Sequence, residues 1–132
     1  MPLKVLYIDD EPDIREIAAM ALELDPDIQV CTAESGGAAL DLLQSPFWRP
    51  DVILMDFQMP DMDGSTTLTQ LRRLARHAHT PVIFVTARTG PADIQRMTDE
   101  GACAVITKPF DPMGVAKEVR RLLAAQPDRP AV

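Results

Sequence analysis

The sequence predicts a single α/β domain built as a parallel sheet with helices on both faces. Three observations lead there. Five short apolar runs alternate with five segments whose apolar residues recur at spacings of three and four, the pattern of strands joined by helical crossovers. The run Val52-Ile53-Leu54-Met55 is apolar at every position, as in a strand buried on both faces of a parallel sheet. The length, 132 residues, suits one compact core that removes roughly two-thirds of the unfolded chain's surface from water, with no need for a disulfide or a structural metal.

Leu3 to Ile8 forms the first strand and stops at Asp9-Asp10-Glu11-Pro12, an acidic turn whose proline suits the first turn of a helix. From Asp13 to Leu24 the residues Ile14, Ile17, Ala18, Ala21 and Leu22 share one apolar face, and Asp25-Pro26 ends that helix. Ile28 to Ala33 alternates more than the first strand, as an edge strand with one wetter face does. Ser35-Gly36-Gly37 opens a second helix with Ala38, Ala39, Leu42 and Leu43 inward, closed by Ser45-Pro46. Between Pro46 and Pro50, Phe47 and Trp48 are expected to cover the sheet edge, and an exposed aromatic pair can also anchor a partner. After the central strand and its loop, Thr66 to Ala78 reads as a third helix, with Leu68, Leu71, Leu74 and Ala75 inward and Arg72, Arg73 and Arg76 on a solvated face. His77 and His79 near its end read as exposed cations without a role. Val82 to Val85 is the fourth strand, followed by a helix from Pro91 to Glu100 that Gly101 caps in the left-handed conformation. Cys103 to Thr107 is the fifth strand, and Met113 to Ala124 is the last helix, with Val115, Val119, Leu122 and Leu123 apolar. The domain is expected over 1–125, with 126–132 as a flexible, proline-rich tail.

Composition narrows the function. Twenty acids against 13 bases give a net charge of -7, which opposes non-specific binding to nucleic-acid backbones and to anionic membranes. Two cysteines, Cys31 and Cys103, make neither a disulfide framework nor a metal-ligand pair. No window has the run of apolar residues that a spanning helix needs, and the N-terminus lacks a signal-peptide layout. The expectation is a cytoplasmic protein that contacts neither nucleic acid nor membrane.

Right-handed crossovers put the carboxyl ends of all five strands at one rim, where open α/β sheets bind their ligands. Asp9-Asp10-Glu11, Asp56, Thr86 and Lys108 each follow a different strand, so the topology gathers them. Carboxylates so placed repel one another unless a cation lies among them, and oxygen-only ligands favour Mg²⁺, with Mn²⁺ as the alternative ion. Asp10 and Asp56 read as direct ligands and Asp9 as orienting a coordinated water, while Glu11 stays open. A metal beside a carboxylate lets an anionic phosphoryl donor approach an anionic nucleophile, with a lysine on a second phosphoryl oxygen. Lys108 supplies that lysine, and the Thr86 hydroxyl can donate to a third oxygen.

Four stretches then carry a family resemblance: Ile8-Asp9-Asp10-Glu11-Pro12, Leu54 to Gly64, Val85-Thr86-Ala87 and Lys108-Pro109-Phe110. In this order they resemble the receiver domain of two-component response regulators, of the single-domain type, across about residues 3 to 125. The resemblance implies a flavodoxin-like (βα)5 three-layer sandwich with strand order 2-1-3-4-5. It implies that Asp56 accepts a phosphoryl group from a phosphohistidine of a sensor histidine kinase or a histidine phosphotransfer protein. Asp9, Asp10, Asp56 and the backbone carbonyl of Gln58 then serve the metal, and Thr86 and Lys108 read the phosphorylated state. Gln58 and Arg88 occupy positions that influence loss of the phosphoryl group. Val105 stands where such domains commonly carry a Tyr or Phe whose ring turns inward, so the readout is expected to be weaker or routed differently. The implied order puts Cys31 and Cys103 at opposite sheet edges, four strand spacings or roughly 19 Å apart.

The resulting expectation is a phosphorylation-controlled signalling module, not an enzyme, acting as a monomer or weak dimer through an unidentified downstream protein. Alternatives are a phosphate sink or a receiver fragment of a larger regulator. More distant is an aspartyl-phosphate phosphohydrolase, which wants Asp-x-Asp after the first strand where this chain has adjacent Asp9 and Asp10. Nucleotide binding is disfavoured because no glycine-rich phosphate loop is present.

Overall fold

The computed structural model describes residues 2–126. Within them β1 (Leu3–Ile8), α1 (Pro12–Leu22), β2 (Ile28–Ala33), α2 (Gly36–Leu43), β3 (Val52–Asp56), α3 (Gly64–Arg72), β4 (Val82–Thr86), α4 (Pro91–Asp99), β5 (Ala104–Thr107) and α5 (Val115–Ala124) alternate along the chain. The five strands are all parallel, in the order β2-β1-β3-β4-β5. This is the flavodoxin-like order that the resemblance implies. The proposed tail lies outside the described residues from 127 onward.

Strand alternation sorts the core into two clusters. Val5 and Tyr7, Val52 and Leu54, and Ile83 and Val85 point toward α1 and α5. Leu6 and Ile8, Ile53 and Met55, and Val82 and Phe84 point toward α2, α3 and α4. Both faces of β3 and β4 are therefore buried, which is why these strands read as unbroken apolar runs. Local signals fix the helix starts: the Ser35 hydroxyl accepts the Ala38 N–H at 3.0 Å, and the Asp63 carboxylate accepts that of Thr66 at 2.8 Å. Gly101 follows α4 with φ +114, as its capping role requires. Cys31 and Cys103 sit half-buried at opposite edges of the sheet.

The third helix departs from expectation. α3 stops at Arg72, and a separate 3-10 turn covers Ala75–His77. The Arg72 guanidinium is half-buried rather than solvated, and its Nη1 donates to the carbonyls of His77 at 2.9 Å and Thr80 at 2.6 Å. It thereby satisfies two carbonyls of the turn between α3 and β4. His77 is correspondingly not an exposed cation but fully buried. Its Nε2 lies 3.0 Å from the Leu43 carbonyl, which can only accept, so Nε2 carries the proton and Nδ1 accepts from the Thr80 hydroxyl at 3.0 Å. Burial, opposed by the Leu43 bond and reinforced by the charges of Arg49, Arg76 and Arg72, holds its pKa below the ordinary value. His79 is exposed, as expected. Ile17 is 46% exposed rather than inward, because Ala18, Ala21 and Leu22 form the stripe that α1 buries. The aromatic pair splits: Trp48 packs against the second cluster while Phe47 is 94% exposed.

Candidate functional site

Asp9, the first residue beyond β1, continues the alternation of Val5 and Tyr7 and has no exposed surface. Its Oδ1 accepts the Glu11 N–H at 3.0 Å. Its Oδ2 accepts the Tyr7 hydroxyl at 3.1 Å and lies 2.8 Å from Lys108 Nζ. Asp56 closes β3, and its Oδ2 lies 3.3 Å from the same ammonium while its Oδ1 accepts the Gln58 N–H at 3.1 Å. Lys108 reaches both carboxylates because its own N–H is anchored to the Thr86 carbonyl at 2.8 Å, one step past β5, and a cis peptide bond joins it to Pro109.

Charge is concentrated and poorly solvated here. Burial pushes the Asp56 carboxyl up from the usual range; the Gln58 N–H and Lys108 pull it back and Asp9 pushes it further up, with a net upward shift. Burial alone would lower Lys108, but its hydrogen bond to Asp9 and the charges of Asp56 and Asp9 outweigh that and raise it. The Tyr7 phenol is raised strongly by burial and then by the adjacent Asp9 charge.

Carboxylate oxygens of Asp9, Glu11 and Asp56 all lie within 4.8 Å of one another. Three carboxylates against the one ammonium of Lys108 leave two negative charges (-3 + 1 = -2), and an oxygen-only donor set of that charge suits a hard divalent cation. The residues present therefore fit such a metal. Asp10, half-buried, is not in this group, whereas exposed Glu11 is.

Other residues singled out in the sequence frame the site. Thr86 is buried at the end of β4, where its hydroxyl accepts the Arg88 N–H at 3.0 Å and keeps a proton to donate. Gln58 and Arg88 are exposed. Val105, half-buried on β5, packs against the second cluster. Sequence reading missed Tyr7, which was detectable because residues two apart on a strand share a face. Gly64, the last residue of the second motif stretch, shapes the loop: its N–H closes onto the Phe57 carbonyl at 2.8 Å, and a Cβ there would sit 2.7 Å from the Phe84 ring and 3.2 Å from the Asp56 carbonyl oxygen. Beside it, Phe57 meets Phe84 edge-on at 5.0 Å, with the Arg96 guanidinium 5.5 Å from the Phe57 centroid.

An α/β sheet of this order, with acids from two strand ends bridged by a lysine from a third, defines the receiver class of signalling domain. Residues 5–120 match the response regulator receiver domain family. The response regulator Rre1 of Synechocystis is 38% identical over 125 residues, which is 95% of this chain and 53% of that protein. A protein-glutamate methylesterase/protein-glutamine glutaminase of Nitrosospira multiformis is 39% identical over 81% of this chain and 30% of its own length. The chemotaxis response regulator CheY4 of Vibrio cholerae superposes with a TM-score of 0.83 at 33% identity, covering 92% of this chain and 99% of that one. The chain belongs to the response regulator receiver domains of two-component systems. It spans about half the length of Rre1. Among the described residues no helix is long and apolar enough to cross a membrane.

Proposed function

We propose that Asp56 is the phosphoacceptor of this receiver, charged from a phosphohistidine on a histidine kinase or a phosphotransfer protein. One observation carries the reading: the Lys108 ammonium lies between two buried carboxylates, 2.8 Å from Asp9 and 3.3 Å from Asp56. The Asp56 Oδ attacks phosphorus, forming the P–O bond as the donor's P–N bond breaks. The imidazole nitrogen leaves with the bonding pair and takes up a proton. Lys108 receives one oxygen of the transferred group and the Thr86 hydroxyl donates to another.

Asp9, Asp10, Asp56 and the Gln58 carbonyl would serve a divalent cation, Mg²⁺ or Mn²⁺, and the Glu11 carboxylate lies within reach of those of Asp9 and Asp56. When bound, the ion neutralises charge on the incoming phosphoryl oxygens. Gln58 and Arg88, exposed after Asp56 and Thr86, tune loss of the phosphoryl group to water. The chain acts as a cytoplasmic monomer or weak dimer and signals through protein contacts, without nucleic acid or membrane. It is an acceptor in its own phosphorylation rather than a turnover enzyme.

The test is incubation with acetyl phosphate and Mg²⁺, followed by intact-mass and peptide mapping. Wild type gains one phosphoryl group on Asp56, Asp56→Asn gains none, and chelator abolishes the gain. Full labelling of the Asn variant would overturn the assignment.

A further inference from the structure

Tyr7, the one tyrosine of the chain, joins the site to a part of the core that the reading above leaves unused. Its buried ring lies among the side chains that hold α1 and α5 to the sheet. Ala18, Leu22, Phe110 and Val115 pack around it, leaving no room for a water molecule. Its hydroxyl donates to Asp9 Oδ2 at 3.1 Å, the oxygen that also faces Lys108 Nζ at 2.8 Å. A phenol and an ammonium thus share one carboxylate oxygen. On the opposite face of the sheet, Val105 offers neither a polar atom nor a swinging ring.

We propose that Tyr7 positions Asp9, and through it Lys108, and that its ring carries the phosphorylation state of Asp56 to the packing of α1 and α5. The proposal rests on Asp56 being the phosphoacceptor. An added phosphoryl group brings about -1.5 to -2 of charge and draws the ammonium off Asp9 Oδ2. Oδ1 stays tethered by the Glu11 N–H at 3.0 Å, so Asp9 does not follow. Tyr7 then no longer shares Oδ2 with the Lys108 ammonium, and its hydrogen bond changes with that loss. Because the ring packs directly beside Ala18, Leu22 and Val115, α1 and α5 feel a change in how it is held.

A single tyrosine makes the test direct. Protein labelled with ¹³Cζ-tyrosine gives one NMR resonance, followed before and after addition of Mg²⁺ and acetyl phosphate, with intact mass reporting phosphoryl gain separately. The resonance moves in wild type as the mass rises and stays put in Asp56→Asn under the same reagents. Tyr7→Phe, which keeps the ring, is phosphorylated about fivefold more slowly, the factor an ordinary net hydrogen bond commands. Its α1 and α5 amide shifts on phosphorylation shrink relative to wild type. Phosphoryl gain with an unmoved tyrosine resonance overturns the proposal, and so does a folded Tyr7→Phe with wild-type rate and amide shifts. Should Tyr7→Phe not fold, the wild-type resonance decides alone. If no phosphoryl group reaches Asp56, the mass spectrum reports that failure of the underlying reading on its own, and the proposal falls with it.

Discussion

Replacing Lys108 with methionine keeps the aliphatic stem and removes the charge, leaving Asp9 and Asp56 face to face. With an effective dielectric constant of about 20, Coulomb's law puts the 2.8 Å contact at about 6 kcal/mol and the 3.3 Å contact at about 5 kcal/mol, before desolvation is subtracted. Removing one partner of a buried pair costs about 3–5 kcal/mol net. The Lys108 side chain is 17% exposed and that of Asp56 8%, which favours the lower end, about 3 kcal/mol. The folded pKa of Lys108 is raised, so its contribution is complete below the unfolded value near 10.5 and fades only as pH rises through the folded one. Urea unfolding at pH 7 in chelator measures the whole effect. Adding Asp56→Asn to Lys108→Met recovers part of the loss, because one of the two opposed charges goes. A midpoint equal to wild type at unchanged slope, or a loss indifferent to Asp56, refutes the electrostatic account.

Three further outcomes follow from the same structure. Asp56→Asn is neutral or stabilising in chelator, up to about 1.4 kcal/mol for each unit by which burial raises the carboxyl, and Mg²⁺ raises its melting temperature less than that of wild type. Gly64→Ala destabilises by about 1–3 kcal/mol, since its Cβ meets the Phe84 ring and the backbone around Asp56, and it slows phosphorylation by acetyl phosphate; wild-type stability would show that the loop yields freely. For His77 the folded pKa is depressed, so the unfolded chain binds more protons. Stability is complete above about pH 6.5 and falls with pH below it, by at most about 1.4 kcal/mol per pH unit, until the folded pKa is reached. His77→Phe flattens that dependence in denaturant titrations between pH 7 and 5, and costs about 2 kcal/mol at pH 7 because the Leu43 carbonyl loses its donor.

The parts legible in the sequence are those set by a repeating pattern. Apolar runs such as Val52 to Met55 announced strands because both of their faces are covered, and one parallel topology then required Asp9, Asp56 and Lys108 to meet. The parts that were not legible depend on single long-range contacts. Leu68, Leu71 and Leu74 continue a helical spacing through the point where α3 ends, and the contacts made there, Arg72 to the carbonyls of His77 and Thr80 and His77 to Leu43, are long side-chain reaches that no spacing announces. His77 looked like a surface cation because its acceptor, the Leu43 carbonyl, lies 34 positions away. Composition marked three consecutive acids, but not which of their carboxylate oxygens approach Asp56; those of Asp9 and Glu11 do.

That same alternation bears on how a signal leaves the site. Asp9 continues the β1 face of Val5 and Tyr7, and Lys108 continues the β5 face of Ile106, both turned toward α1 and α5. Val105 and Phe84 belong to the other face, against α2, α3 and α4. A charge change at Asp56 therefore acts directly on groups in register with the α1 and α5 layer, as it does on Thr86. The buried ring in hydrogen-bond contact with Asp9 is on that side, while the branched aliphatic Val105 stands on the other. A surface that reads this domain through α4 and β5 would depend on Thr86 alone, which ends β4 with its hydroxyl already accepting the Arg88 N–H. Comparing amide shifts on the two faces after phosphorylation separates the routes: larger changes around α1 and α5 favour Tyr7, and changes confined to α4 and β5 favour Thr86.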